Sequence, residues 1–544
     1  MNENLNKKTE EIFDQVGHFG PYQLLIFILV GIIAFVPALV GFSFSFYGTV
    51  PNHRCRIPAY PNDTYEIQSD YHQELIDTFI PESKNSFKEK YDTCNLRVFN
   101  KTDKANSSLT KCSEWVYSKE YFESTLMSDW NIVCDSSPRR SLFSTFYFIG
   151  NFGVLLSGIM SDKYGRKFTA YSFVIANAAF NIAIAALVSI DFADNNLQQI
   201  LFAILRLLTG ISMNVYAVAV VIAVEIVGPS KRVIAANAIY YLYIVGEFVL
   251  LFFVYFITDY KIMLTSLSVL MTTIAMYYWI VPESPRWLLA TKKKKEAYKV
   301  FNTIAKWNKK RPEDLTSMEE LLKVHKVESE VNFVPEKQYT IWQTLKIFFS
   351  SKILMIRSMV IMINWLGNTF VYNGLSFSTS DLAGNPYVNF GLSAVAEMLG
   401  VLGCHFLLDR YGRKVPYTIS MTLSGLALLA VMFVPTDLGI VVTGLALVGK
   451  LTISFAFNTI YIVTAESHPT VIRNSAVAIS QTFSRIAAVL APNIQLLGEI
   501  YWSPLPFIIY GGFSLLSAIL FAIFVPETQN RKLPDTIQEF IHNQ

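Results

Sequence analysis

The chain reads as a succession of long apolar stretches separated by short polar loops. A helix needs about 20 mostly apolar residues to cross a bilayer, because every backbone amide must find its partner inside the segment. Twelve stretches fit. They lie near 22–47, 141–160, 168–190, 199–222, 233–257 and 262–281, then near 353–376, 387–408, 415–434, 438–464, 475–498 and 505–525. The first is too long for a signal-peptide core, and no small-residue cleavage site follows it. The pattern predicts an all-α membrane protein with twelve spans in two six-span halves. Composition agrees, since 16% charged residues fall well short of the roughly 25% of a soluble protein. A net charge of +3 excludes a strongly basic nucleic-acid-binding surface.

Short loops set the expected orientation. Lys163, Arg166 and Lys167 follow span 2, Lys231 and Arg232 follow span 4, Arg410, Arg413 and Lys414 follow span 8, and Arg473 follows span 10. The alternate loops 191–198 and 377–386 hold no Lys or Arg. Even-numbered spans are therefore expected to end in the cytoplasm, with both termini inside. The chain divides into a cytoplasmic N-terminus 1–21, a first half 22–282, a cytoplasmic linker 283–350, a second half 351–526 and a tail 527–544. The linker joins the Lys292–Lys295 run to amphipathic stretches such as 313–325, which suit short helices on anionic lipid.

The loop 49–140 is then outside and enlarges the first half. It carries Cys55, Cys94, Cys112 and Cys134, which predict two disulfides with three pairings open. It also carries N-glycosylation acceptors at Asn62, Asn100 and Asn106. Cys404, in span 8, reads as a small core residue.

The two halves repeat each other. Ser161-Asp-Lys-Tyr-Gly-Arg-Lys167 recurs as Leu408-Asp-Arg-Tyr-Gly-Arg-Lys414, and Glu225 and Arg232 recur as Glu466 and Arg473. Arg206 has Lys450 as its counterpart, and Val281-Pro-Glu-Ser284 has Val525-Pro-Glu-Thr528. All four offsets lie between 241 and 247 residues. Duplicated halves of this kind place a solute site between them near the midplane. Asp162, Arg166, Glu225, Arg232, Asp409, Arg413, Glu466 and Arg473 then form a candidate charged gate on the cytoplasmic side, with Arg206 and Lys450 as part of the moving machinery. The alternative is that these charges serve topology alone.

The Asp-x-x-Gly-Arg-Lys loops resemble those of the major facilitator superfamily. The cysteine-bearing loop together with Pro282-Glu-Ser-Pro-Arg-Trp-Leu-Leu289 resembles, more narrowly, its organic cation, organic anion and carnitine-type transporters. That resemblance runs through nearly the whole chain, to Leu533-Pro-Asp-Thr-Ile537. Four loop cysteines stand where such proteins commonly have six.

A charge at the bilayer centre costs about 2.5–3.5 kcal/mol even on a mild scale, so Arg206, Glu247, Glu397, Lys450 and Arg485 each require a partner or a task. By the resemblance, cation transporters carry an aspartate at the position of Arg485, whereas anion and carnitine-type members carry arginine. Glu397 matches an acidic position of all three groups, and the lysine that anion members add four residues later is Val401 here. The segments Asp381–Glu397 and Ser484–Pro492 look most like the carnitine-type members.

An arginine facing a glutamate suits a solute with a carboxylate at one end and an amine at the other. Arg485 would clamp the carboxylate. Glu397 would hold the ammonium, with Trp365 and Tyr372 as cation–π faces. Tyr216 and Asn151 are further lining candidates. The alternatives are a mutual brace for Arg485 and Glu397, and plain core packing for the aromatic residues and Asn151. Glu247 is a candidate proton or ion site.

The expected function is a plasma-membrane carrier of small organic ions working by alternating access and biased to zwitterions. Organic anion exchange and then cation uniport are the alternatives. No catalytic motif is present, and the seven histidines are scattered rather than grouped for metal binding, so neither an enzyme nor a metal or other cofactor is expected. The expected partners are an organic ion and the bilayer, with a monomeric transport unit and no nucleic acid; whether Na+ or H+ is coupled to transport is not specified by the sequence.

Overall fold

The computed structural model describes residues 3–529 except 59, 83–90, 101–102, 191, 311–340, 349–350, 380–381, 436–437 and 470–471. A first helix, α1 (Glu3–Val16), leads into α2 (Pro21–Ile33) and α3 (Phe35–Tyr47), which together make the first apolar stretch. A looped segment holding α4 (Asp70–Phe79) and α5 (Leu126–Asp129) follows. The first half then continues through α6 (Pro138–Gly150), α7 (Val154–Tyr164), α8 (Arg166–Ser189), α9 (Asn195–Ser212), α10 (Val215–Glu225), α11 (Arg232–Phe256) and α12 (Tyr260–Met276). Three short helices, α13 (Pro285–Ala290), α14 (Lys294–Trp307) and α15 (Ile341–Phe348), lie between the halves. The second half comprises α16 (Lys352–Ser378), α17 (Pro386–Tyr411), α18 (Lys414–Ala430), α19 (Gly439–Glu466), α20 (Arg473–Ile500) and α21 (Leu505–Phe524). The amphipathic stretch 313–325 and the tail motif 533–537 lie outside the described residues.

Among the described residues, ten helices are long and apolar enough to cross a membrane. The two other expected spans differ for physical reasons. Helix α12 has only 17 residues. Helix α20 has 28, but it carries Arg485, Asn493, Gln495 and Glu499 and packs inward against α6 and α16. Large apolar side chains such as Ile159, Phe252, Phe256, Phe433 and Ile440 are exposed on the outer surface, as hydrocarbon surroundings require.

The segment between α3 and α6 builds its own small core of Cys55, Ile57, Ile76, Ile80 and Leu96. Strand β1 (His53–Cys55) pairs antiparallel with β4 (Trp115–Tyr117), and β2 (Asn95–Asn100) with β3 (Asp103–Lys111). The disulfides are Cys55–Cys112 and Cys94–Cys134, which resolves the three possible pairings. Asn62 is exposed, while the side chains of Asn100 and Asn106 lie outside the described set. Inside this unit Arg54 grips Asp63 bidentately at 2.6 and 2.9 Å, and His72 Nε2 meets the same carboxylate at 2.9 Å. Burial opposes ionisation of Asp63, but the Arg54 guanidinium and the Ile57 N–H outweigh it and hold the carboxyl below its usual range.

The repeat becomes three-dimensional at the turns after α7 and α17. Gly165 and Gly412 have φ of +111° and +84°, and a Cβ at either would collide with the carboxylate of Glu283 or Glu527. Glu283 accepts hydrogen bonds from the N–H groups of Arg166 (2.9 Å) and Lys167 (3.1 Å), capping α8 at its positive end. Glu527 does the same for Arg413 (2.9 Å) and Lys414 (3.0 Å) at α18. Burial holds the Glu283 carboxyl above its ordinary range. At Glu527 the opposing burial is outweighed by four backbone N–H groups, and that carboxyl titrates low. The two Pro-Glu-Ser/Thr strings therefore act as helix caps.

Replacing Asp63 by Asn leaves the Arg54 guanidinium buried without a counter-charge. A destabilisation of about 3–5 kcal/mol is expected, read as a lowered melting temperature of the purified full-length chain. Because folding lowers the Asp63 value, its contribution is full above the ordinary carboxylate range and fades as pH falls through the folded value. The gap between variant and parent should therefore narrow below about pH 4.

Candidate functional site

Two groups of buried charge meet where the halves face each other. The first is built on Glu397, one of the inward-facing residues of α17, fully out of water. Its carboxylate lies 2.8 Å from the Nζ of Lys450 on α19. It also accepts hydrogen bonds from the hydroxyls of Tyr240 on α11 (2.6 Å) and Tyr372 on α16 (2.8 Å). Lys450 is held further by Ser376 Oγ at 2.6 Å and sits 3.6 Å from the centroid of the Tyr372 ring. The cation–π face expected for a solute is thus occupied by the protein's own ammonium. Lys450 belongs to this cluster rather than to the charged turns.

The second group is built on two arginines flanking Tyr147. Helices α6 and α9 approach closely at Gly150 and Gly210, where a Cβ on either would strike the other helix's backbone. That contact sets Arg206 beside Tyr147, with the guanidinium 4.5 Å from the rings of both Phe44 and Tyr147 and 3.3 Å from the Tyr47 hydroxyl. Arg206 is 1% exposed, and its Nε and Nη2 have no hydrogen-bond partner. It stands mid-helix, away from the charged turns. Arg485 on α20, from the second half, lies within electrostatic range of the same Tyr147 and of Tyr461. Its Nε has no partner, and among the described residues no carboxylate pairs with it.

Aromatic residues connect the groups. Tyr216 on α10 lies within electrostatic range of both Tyr461 and Glu397, and its ring is 5.7 Å from that of Tyr243. Phe457 is 5.8 Å from Tyr461 and 5.3 Å from Tyr372. Trp365 is buried behind this row, donating from Nε1 to Thr464 Oγ1 at 2.8 Å and packing edge-on at 4.4 Å to Tyr461. Asn151 is buried in the 3-10 turn between α6 and α7. Glu247 on α11 is 3% exposed, its Oε1 is unpartnered, and it lies within electrostatic range of Glu397 and Lys450. Tyr240, Tyr243, Tyr147, Tyr47 and Tyr461 were not among the candidates read from the sequence. The available signal was the Tyr240-Tyr241-Leu-Tyr243 run inside an otherwise apolar span.

The charged turns form two separate clusters instead of one continuous layer. Arg166 binds Asp162 at 2.9 Å and Glu225 at 3.2 Å, while Arg413 binds Asp409 at 3.9 Å and Glu466 at 3.3 Å. Arg232 pairs with Glu10 at 3.3 Å, and Arg473 lies near His468; neither pairs with the glutamate seven positions before it. Among the described residues, every ion pair of these clusters stays within one half. The opposite, loop-bearing face is bridged. Arg140 binds Glu499 at 2.9 Å, Ser141 Oγ donates to Pro492 O at 3.1 Å, and Asn493 donates to Thr145 Oγ1 at 3.1 Å. The rings of Phe46 and Phe390 meet at 5.0 Å. The molecule is therefore closed on the loop-bearing face.

Repeated helical halves around a buried, charged interface define a membrane transporter rather than an enzyme. Comparison with known proteins carries this further. The family described as "Sugar (and other) transporter" matches residues 79–540, and the chain belongs to that family within the major facilitator superfamily. It is 32% identical over 535 residues to the organic cation transporter protein of Drosophila melanogaster, covering 97% of this chain and 94% of that one. It is 30% identical over 548 residues to organic cation/carnitine transporter 2 of Rattus norvegicus, covering 98% and 94%. The inward-open xylose transporter of E. coli aligns with a TM-score of 0.62 at 14% identity, covering 95% of this chain and 98% of that one, which shows the shared fold. The chain is a multi-pass membrane transporter.

Lys450→Ala would leave Glu397 as a buried anion, and about 3–5 kcal/mol of stability should be lost. Pairing it with Glu397→Gln should lose clearly less than the sum of the single changes, because the two groups stabilise one another. Melting temperatures of the four proteins in one detergent complete the cycle.

Proposed function

We propose that this chain is a plasma-membrane carrier working by alternating access of two six-span halves, twelve spans in all. Both termini face the cytoplasm, and the preferred solute is a small zwitterion with an amine and a carboxylate. The observation that carries this reading is the pair of opposite charges, Arg485 on α20 and Glu397 on α17, joined by a row of tyrosines at the interface between halves. Arg485 has donors to offer a carboxylate. Glu397, with the Tyr372 and Tyr216 rings beside it, takes the ammonium by exchanging it for Lys450. The carnitine transporters among the relatives support a solute of that shape. Asp162, Arg166, Glu225, Asp409, Arg413 and Glu466 latch the cytoplasmic side when the loop-bearing side opens. Glycans at Asn62, Asn100 and Asn106 and a monomeric transport unit complete the proposal.

One observation favours a second reading, organic anion exchange. Lys450 neutralises Glu397, while Arg485 and Arg206 keep uncompensated positive charge. Radiolabelled uptake distinguishes the two: an exchanger takes up simple carboxylates only against an anion loaded on the other side, whereas a zwitterion carrier prefers amine-bearing carboxylates and needs no counter-anion.

Arg485→Asp should shift preference from carboxylates toward cations, and an unchanged solute profile would sink the role of Arg485. Glu397→Gln should raise KM for amine-bearing solutes about 10- to 100-fold and leave simple carboxylates nearly unaffected. Equal effects on both would assign Glu397 to bracing instead.

A further inference from the structure

We propose that Glu247 is a proton-exchange site that couples solute movement to a proton moving the opposite way. The inference rests on the reading of Glu397 as the ammonium-binding group and deepens it by naming the coupling ion. Glu247 is a buried membrane carboxyl that neither the solute site nor the charged turns absorb. It is 3% exposed with Oε1 unpartnered, in a setting where an isolated carboxylate anion is strongly disfavoured. It must therefore hold a proton or meet a cation.

The surroundings say which. The ionisable groups within electrostatic range of it are Tyr243 on its own helix, Tyr372 on α16, Glu397 on α17 and Lys450 on α19. Tyr216 on α10 stands behind Tyr243. On the α3 side the neighbouring Gly246 meets Phe35 and Ala38, which do not titrate. A sodium ion would need several oxygen ligands, supplied in transporters by unwound backbone. Helices α11, α16, α17 and α19 run unbroken through this region, so their carbonyls are already engaged, and the nearest cation is an ammonium. A proton needs only the carboxylate itself.

The charge balance then closes. With Glu247 protonated, Glu397 and Lys450 cancel and the cluster is neutral. When an organic ammonium enters, Glu247 releases its proton to water. Two carboxylates then face two ammonium groups, Lys450 and the solute's, and the cluster is neutral again. The two carboxylates sit on opposite halves, α11 and α17, so the exchange is placed where rocking would separate them. For an organic cation the cycle is electroneutral. For a zwitterion it moves one positive charge outward for each solute taken inward.

The test uses the purified full-length chain in liposomes clamped at zero potential, with L-carnitine and tetraethylammonium as probes. Steady-state accumulation is the readout because it depends on coupling and not on turnover rate. An interior one pH unit more acidic should raise accumulation of a transported probe up to about tenfold, with alkalinisation of the lumen. Glu247→Gln should reduce the gradient effect to none, and Glu247→Asp, which keeps the acid, should retain it. Accumulation that ignores the pH gradient, that follows a sodium gradient instead, or that persists in Glu247→Gln overturns the proton site while leaving the carrier reading standing. If the wild-type chain takes up neither probe, the reading of Glu397 falls and this inference falls with it.

Discussion

An ion taken out of water must be answered nearby, and this fold is organised around that requirement. Among the described residues, five charged side chains lie within the apolar spans, and they are answered in three ways. Glu397 and Lys450 answer one another, with two tyrosine hydroxyls and a serine completing their hydrogen bonds. Arg206 is answered by the electron-rich faces of Phe44 and Tyr147. Arg485 and Glu247 are answered least, and unmet demand of this kind leaves room for a passenger. The close crossing of α6 and α9 matters because it delivers Arg206 to its aromatic bed. The caps at Glu283 and Glu527 matter because they fix where α8 and α18 begin.

Duplication gives the molecule two nearly equal copies of its turn chemistry and two unequal copies of its centre. Glu283 and Glu527 use the same backbone donors, and Arg166 and Arg413 reach the same type of carbonyl five residues back. Arg206 and Lys450, counterparts in sequence, have diverged: one rests among rings and the other on a carboxylate. The symmetric parts carry the motion common to both halves. In the proposed carrier, the asymmetric parts are what distinguish one end of a solute from the other.

Much of the fold was legible because hydrocarbon imposes a length and an apolar composition on each span. The limits of that rule appear at α20, where Arg485, Asn493 and Glu499 dilute the apolar signal, and at α12, which is short. Disulfide pairing was not legible, since spacing alone admits three solutions. At the site, Arg485 and Glu397 stood out because charge is rare in a span. The partnership of Lys450 with Glu397 did not, because the two residues come from helices whose facing sides are set by packing. The capping role of the two Pro-Glu strings was hidden for a related reason: their partners are backbone N–H groups, which leave no mark in a side-chain pattern.

The disulfide-braced segment has a mechanical consequence. Ser124 is bonded to Asp259 at 2.9 Å and Tyr260 to Asp129 at 3.0 Å, so the segment is fastened to the beginning of α12. Its ties to the second half centre on Tyr387, whose hydroxyl donates to Tyr121 O at 2.5 Å and whose ring packs against Tyr121 and Phe122. Below it lies a cavity of about 870 Å³ bordered by Arg139, Arg140, Gln495 and Glu499. In the proposed alternating-access cycle, when the halves part on this side, the segment stays with the first of them like an awning fixed to one wall. On that proposal, incoming solutes pass beneath its edge, and the threshold of the pathway is built from the disulfide-braced segment and not from the spans.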